Sequence, residues 1–114
     1  MSDTVFDACI VGCGPVGAGA ALLMAREGLR VAVLERAAEV YDLPRAAFLD
    51  GETMRAFQRV GLADAIDGIL QPFRPGDAAM FTNSAREPLF GIELQPYGAN
   101  GGRDGAFFDQ PEFE

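Results

Sequence analysis

The chain has 114 residues, 49% of them hydrophobic, and a formal net charge of −8, with every one of its nine cationic residues an Arg. That length allows one domain at most, and the acidic balance argues against nucleic acid and anionic membrane surfaces as partners. With no His in the chain, these residues supply no imidazole base and no His metal ligand.

Met1-Ser2-Asp3-Thr4 carries no basic stretch followed by an apolar core. A secretion signal is therefore not expected, and a cytoplasmic setting is the expectation. Phe6 to Val11 reads as a short buried parallel strand, nearly all apolar. It runs into Gly12-Cys13-Gly14-Pro15-Val16-Gly17. Pro15 suits the first turn of a helix, where its missing N–H costs nothing. That helix is predicted to reach about Glu27, with Val16, Ala20, Leu23 and Met24 on one face, and Gly28 stops it. Val31 to Leu34 is a second strand, closed by Glu35. Cys9 and Cys13 would stand roughly 12–13 Å apart at ~3.3 Å per residue, beyond the ~7 Å limit for a disulfide. Both are expected to be reduced, Cys9 as strand core and Cys13 as a small residue in the turn.

Pro44 discourages helix just before it. Asp50 can cap a helix from Gly51 to Val60, with Met54, Phe57 and Val60 facing inward and Gly61 ending it. Leu62 to Ile69 reads as a shorter helical turn. Ala78–Thr82 and Leu89–Leu94 are strand candidates around the turn Asn83-Ser84-Ala85-Arg86. Gln95 to Gly105 is expected to be loop, and Gln110 to Glu114 the start of a helix.

Gly12, Gly14 and Gly17 form G-x-G-x-x-G between a strand and a helix, with an acid at the end of the next strand. This is the dinucleotide-binding fingerprint in its required context. Gly12 permits the tight turn, Gly14 lets backbone approach a pyrophosphate, and Gly17 lets the helix pack close to the strand. The helix N-terminus offers unpaired N–H groups and partial positive charge to phosphates. Glu35 is placed to accept from a ribose hydroxyl and to repel a 2′-phosphate, which disfavours NADP in that position.

Leu34-Glu35-Arg36, Leu43-Pro44-Arg45-Ala46, Leu49-Asp50-Gly51-Glu52, Phe57-Gln58, Gly61-Leu62 and the closing Phe108 to Glu114 resemble the class A FAD-dependent aromatic monooxygenases. The likeness is greatest to the 3-(3-hydroxyphenyl)propionate hydroxylase and phenol hydroxylase group, and covers nearly the whole chain. It implies an α/β chain with a Rossmann-like βαβ FAD-binding fold leading into the β-rich start of a substrate domain. Residues 1–72 would be the N-terminal part of the FAD-binding domain. Residues 73–114 would be the first strands of the substrate domain and the return toward the FAD domain.

The resemblance further implies FAD held by Gly12, Gly14, Pro15, Val16 and Gly17, with Glu35 on the adenosine ribose and Arg36 beside the adenosine end. Arg45 would reach the pyrophosphate or ribityl region, and Gln110 the flavin side. A planar cationic fork suits a diphosphate on chemical grounds alone. Arg36 and Arg45 also suit solvated surface positions and Gln110 a helix entry, while Asp50 suits a helix cap better than a chemical role. The implied reaction is NAD(P)H-dependent hydroxylation of a small aromatic, phenolic substrate with O₂ through a flavin hydroperoxide. A homodimer is compatible with it.

The family's two later landmarks, an Asp-Gly motif serving FAD and NAD(P)H and a Gly-Asp motif at the flavin ribityl chain, would both be expected after Glu114. The chain therefore reads as the N-terminal piece of a larger two-domain flavoprotein, needing the remainder of its polypeptide to complete the fold and inactive alone. Strands apolar on both sides would leave an isolated piece with a large exposed apolar patch. No catalytic residue is assigned; Tyr41 and Tyr97 qualify by type only. An NAD-dependent dehydrogenase and a truncated, non-catalytic nucleotide-binding module remain as alternatives.

Overall fold

A computed structural model describes residues 4–43 and 45–114. Pro44, read above as a helix breaker, and Met1–Asp3, read as leader-free, lie outside the described residues. Among the described residues there are three small sheets and four helices, with the last two-stranded sheet inserted between strands of the three-stranded one. The Cα radius of gyration is 17.5 Å, against about 13 Å for a compact domain of this length.

The first unit is β1 (Ala8–Val11), α1 (Pro15–Arg26) and β2 (Val31–Leu34). β1 and β2 pair in parallel, from Ala8 opposite Val31 to Val11 opposite Leu34. β1 starts two residues later than predicted. Phe6 precedes it, and Asp7 is engaged with Arg30: the Arg30 backbone N–H donates to the Asp7 carboxylate at 2.8 Å, and the side chains pair at 3.5 Å. One sequence expectation is corrected here. Cys9 is not strand core but an exposed free thiol, as is Cys13. Val16, at the start of α1, is 87% exposed. The two-stranded sheet has α1 against it, and nothing in the described chain covers its other face. No residue of α1 is buried.

The second unit holds the core. β3 (Phe48–Asp50) and β4 (Leu70–Pro72) flank β7 (Gly105–Phe108), both antiparallel to it. α2 (Gly51–Arg59) packs on this sheet and α3 (Ala63–Asp67) follows it. Asp50 caps α2 as predicted, its Oδ1 accepting the Thr53 N–H at 2.9 Å. Gly61, in the left-handed region at φ 79°, ends it, and the Leu62 N–H returns to the Phe57 carbonyl at 2.9 Å, which satisfies an orphaned end-of-helix acceptor. Leu49, Met54, Phe57, Leu70, Ala106 and Phe108 form the buried cluster, with Val60, Leu62, Ile66 and Phe113 packed against it.

β5 (Ala78–Thr82) and β6 (Pro88–Glu93) make the expected hairpin. Asn83 builds its turn by accepting the Ala85 and Glu87 N–H groups on one side-chain oxygen, both at 2.9 Å. Both strands are exposed along their whole length, with Phe81 stacked on Phe90 at 4.5 Å between centroids. Within the expected 95–105 loop, Tyr97 and Arg103 form an isolated antiparallel bridge. α4 (Gln110–Phe113) closes the chain. No helix among the described residues is long and apolar enough to cross a membrane.

Candidate functional site: the glycine turn and its cleft

β1 delivers the chain to Gly12, whose φ of 101° is open to glycine and strained for other residues. The Gly12 N–H donates to the Leu34 carbonyl at 2.7 Å, tying the turn to the end of β2. Gly17 is there for close approach: a Cβ on it would stand 2.0 Å from the Gly12 carbonyl oxygen. Gly14 is the N-cap of α1, with extended backbone and no side-chain cap, Pro15 follows it, and no acidic side chain occupies the first turn. The first turn of a helix has N–H groups without intrahelical acceptors. Here they lack a side-chain cap and an acidic residue within their own turn, at the positive end of the helix dipole.

Glu35, at the end of β2, is bound back to the turn. One carboxylate oxygen accepts the Ala37 N–H and the other the Cys13 N–H, each at 2.8 Å. These two bonds, the Ala37 one first, hold its pKa below the ordinary value, with lesser help from the neighbouring Arg36 charge. Each oxygen keeps a second lone pair for another donor.

The turn opens into a cleft of about 1000 Å³ between α1 and α2, lined by Gly12, Gly14, Pro15, Val16 and Gly17 on one side and by Arg45 and Gln110 on the other. Glu35 stands behind the turn, outside the cleft lining, and Arg36 is exposed beside it, also outside that lining. The structure thus brings seven of the nine candidate residues to one cavity. Gln110 is buried, and its Oε1 accepts both the Arg45 N–H at 3.0 Å and the Ala46 N–H at 2.9 Å. Arg45 lies over the Tyr41 ring at 5.4 Å and is more than half exposed.

An uncapped helix N-terminus, open backbone at Gly12 and Gly14 and an exposed guanidinium across the gap are what a diphosphate requires. The apolar walls from Leu23, Ala56 and Val60 suit the uncharged parts of a dinucleotide. The residues present fit such a group.

A family model described as "FAD binding domain" matches residues 5–82. The chain belongs to that family. A probable NADH-specific resorcinol 4-hydroxylase of Rhodococcus jostii (strain RHA1) is 38% identical over 108 residues, which is 95% of this chain and 20% of the relative. A 3-(3-hydroxy-phenyl)propionate/3-hydroxycinnamic acid hydroxylase of Paraburkholderia xenovorans (strain LB400) is 48% identical over 60 residues, 53% of this chain and 10% of the relative. The solved p-nitrophenol 4-monooxygenase of Pseudomonas putida DLL-E4 superposes with a TM-score of 0.64 at 26% identity, over 95% of this chain and 27% of its own. The chain spans about a fifth or less of the length of these two curated relatives. FAD is the cofactor of the family, and the glycine turn and most of its cleft fall inside the matched segment.

Three residues of the cleft lining and one beside the cleft were given no site role in the sequence reading. Glu52, Thr53 and Ala56 of α2 line the cavity. Glu114 was quoted only as part of the closing Phe108 to Glu114 run. Its side chain is 9% exposed, pairs with Arg45 at 3.2 Å and accepts from the Gln110 amide. One signal was available: Glu114 stands four residues after Gln110, which puts both on one face of a helix.

Proposed function

We propose that this chain holds FAD by its pyrophosphate and adenosine ribose within an NAD(P)H-dependent flavoprotein monooxygenase that hydroxylates a small phenolic substrate with O₂. The observation that carries the reading is the uncapped N-terminus of α1 facing Arg45 across the cleft, inside a segment belonging to a FAD-binding family.

In this reading Gly12, Gly14, Pro15, Val16 and Gly17 present backbone to the pyrophosphate. Arg45 supplies a cationic fork from the opposite wall. Glu35 accepts from the ribose, and Arg36 flanks the adenosine end. Gln110, its oxygen already committed to two backbone N–H groups, offers only amide N–H toward the flavin side. When bound, FAD supplies the redox chemistry, and the chain's own residues bind it, orient it and keep water from the cleft. Residues 1–72 form the start of the FAD-binding domain. Residues 73–114 begin the substrate domain and return through β7. The relatives' length and the uncovered faces of β1–β2 and β5–β6 favour further polypeptide completing the fold. A cytoplasmic setting and a homodimer belong to the same reading.

The test is purification of the full polypeptide that carries these residues. A yellow chromophore released as FAD, with NAD(P)H consumed and a hydroxylated product formed from a phenol, is the expected outcome. Protein that takes up NAD⁺ and rejects added FAD would point to a dehydrogenase. Bound FAD without NAD(P)H consumption would point to a non-catalytic module.

A further inference from the structure

We infer that Glu114 is a positioning residue for FAD, holding Arg45 and Gln110 in the geometry with which they face the glycine turn; the inference rests on the FAD reading above.

Four observations support it. First, the Gln110 amide is fixed in one orientation. Its oxygen accepts the backbone N–H groups of Arg45 and Ala46, and a flipped amide would set N–H against N–H. Its nitrogen must therefore point the other way, and there it donates to Glu114 Oε1. Second, the same oxygen accepts from the Arg45 guanidinium at 3.2 Å. Backbone 45–46, Gln110, Glu114 and the Arg45 side chain thus close into a ring. Third, the carboxylate is built in, its side chain only 9% exposed while Arg45 beside it is 58% exposed. Fourth, it stands at the turn: Oε1 is 3.7 Å from where a Cβ on Gly14 would be.

Without the carboxylate, an Arg that is more than half exposed has many rotamers. Fixing it for a ligand then costs side-chain entropy at the moment of binding. With it, one of five guanidinium N–H donors is committed and four remain for the ligand. Phe113, which packs on Phe57 at 5.4 Å and Phe108 at 5.2 Å, anchors α4 to the core and so fixes where the carboxylate stands. The ring transmits the rigidity of the core to an otherwise loose cation.

FAD titration followed by flavin fluorescence, with thermal melting of the ligand-free protein, tests this on Glu114→Gln, Glu114→Ala, Arg45→Ala and the Arg45→Ala/Glu114→Ala double variant. Glu114→Ala is expected to raise the FAD Kd about tenfold, the order of one charge-assisted hydrogen bond. Glu114→Gln keeps the shape and the bond from Gln110 but not the ion pair, and is expected to weaken FAD binding with little change in melting. In the Arg45→Ala background, removing Glu114 should change the Kd less than twofold. Tighter FAD binding by Glu114→Ala would show a carboxylate competing for the turn and overturn the inference. Unchanged affinity, or a loss equally large without Arg45, would overturn it too. If these outcomes arise while Gly14→Val still abolishes binding, only the role of Glu114 falls. If the unaltered protein takes no FAD, the FAD reading falls with it.

Discussion

The β1–α1–β2 unit is built from more apolar sequence than the α2-on-sheet unit, yet buries less of it. The first has no buried residue in its helix and leaves Val11 85% exposed. The second contains every member of the buried cluster. The difference separates two tasks. The first unit presents backbone donors and apolar walls to something else, and its shape rests on local devices: a glycine turn, the Glu35 carboxylate on the Cys13 N–H and a parallel pair. The second unit supplies a packed base, and through Phe113 and Gln110 it holds the opposite wall of the cleft in place. Changes in the base should therefore unfold the chain, and changes in the turn should abolish binding with the base intact.

The largest expected effect tests the base. Phe57 is 7% exposed and touches the Phe113 ring. Phe57→Ala should cost about 3–5 kcal/mol of stability, the range for deleting a buried ring. Val16→Ala, at an apolar position of the turn, should change stability by less than about 0.5 kcal/mol. Denaturant melts of the two variants decide the matter, and comparable losses would erase the contrast between the units.

Next comes Gly17→Ala. The new methyl would lie 2.0 Å from a backbone oxygen, with no flexible side chain there to yield. The turn must open, at a cost on the order of 3 kcal/mol for forced overpacking, which is about a hundredfold in FAD affinity if the open turn no longer binds. Amide exchange should lose protection in β1, α1 and β2 while α2 and β7 keep theirs. Loss of protection throughout would mean that the units fold as one.

How much of each unit was legible follows from where its determinants lie. The βαβ unit was readable because Gly12, Gly14, Gly17 and Glu35 act through local backbone geometry at fixed spacing. The cap at Asp50 and the inward Met54 and Phe57 were readable for the same reason. β3, β4 and β7 were not. Each is three or four residues long, Pro72 ends one of them, and Gly105 to Phe108 is a strand only because Phe48–Asp50 and Leu70–Pro72 arrive on either side. Periodicity also showed which side chains are apolar without showing what covers them, hence the misplacement of Cys9. In the site, seven residues were named from motif and resemblance. Glu114 was missed because its partner Arg45 lies 69 residues away, a contact that no spacing encodes.

The smallest effect expected is a pH dependence confined to the turn. Glu35 has its pKa held below the ordinary 4.5, first by the Ala37 N–H and then by the Cys13 N–H. A carboxylate with a depressed folded pKa stabilises the fold above its unfolded pKa, and loses that contribution as pH falls through the folded value. The tie between β2 and the turn should therefore be complete at neutral pH and weaken below about pH 4.5, the ordinary glutamate value. Glu35 is solvent-facing, so screening keeps the effect small. Asp50 and Asp67, also depressed, lose their contributions at lower pH, starting from an ordinary value of 3.8, through the Thr53 N–H and the Arg103 guanidinium respectively. On acidification the turn and the base thus lose separate carboxylate ties. Amide chemical shifts of Cys13 and Ala37 should follow the Glu35 titration and that of Thr53 the Asp50 titration, and Glu35→Gln should remove the Cys13 and Ala37 step alone. A single transition shared by all three amides would show that acid acts on the whole chain at once, and that the turn has no separate tie to lose.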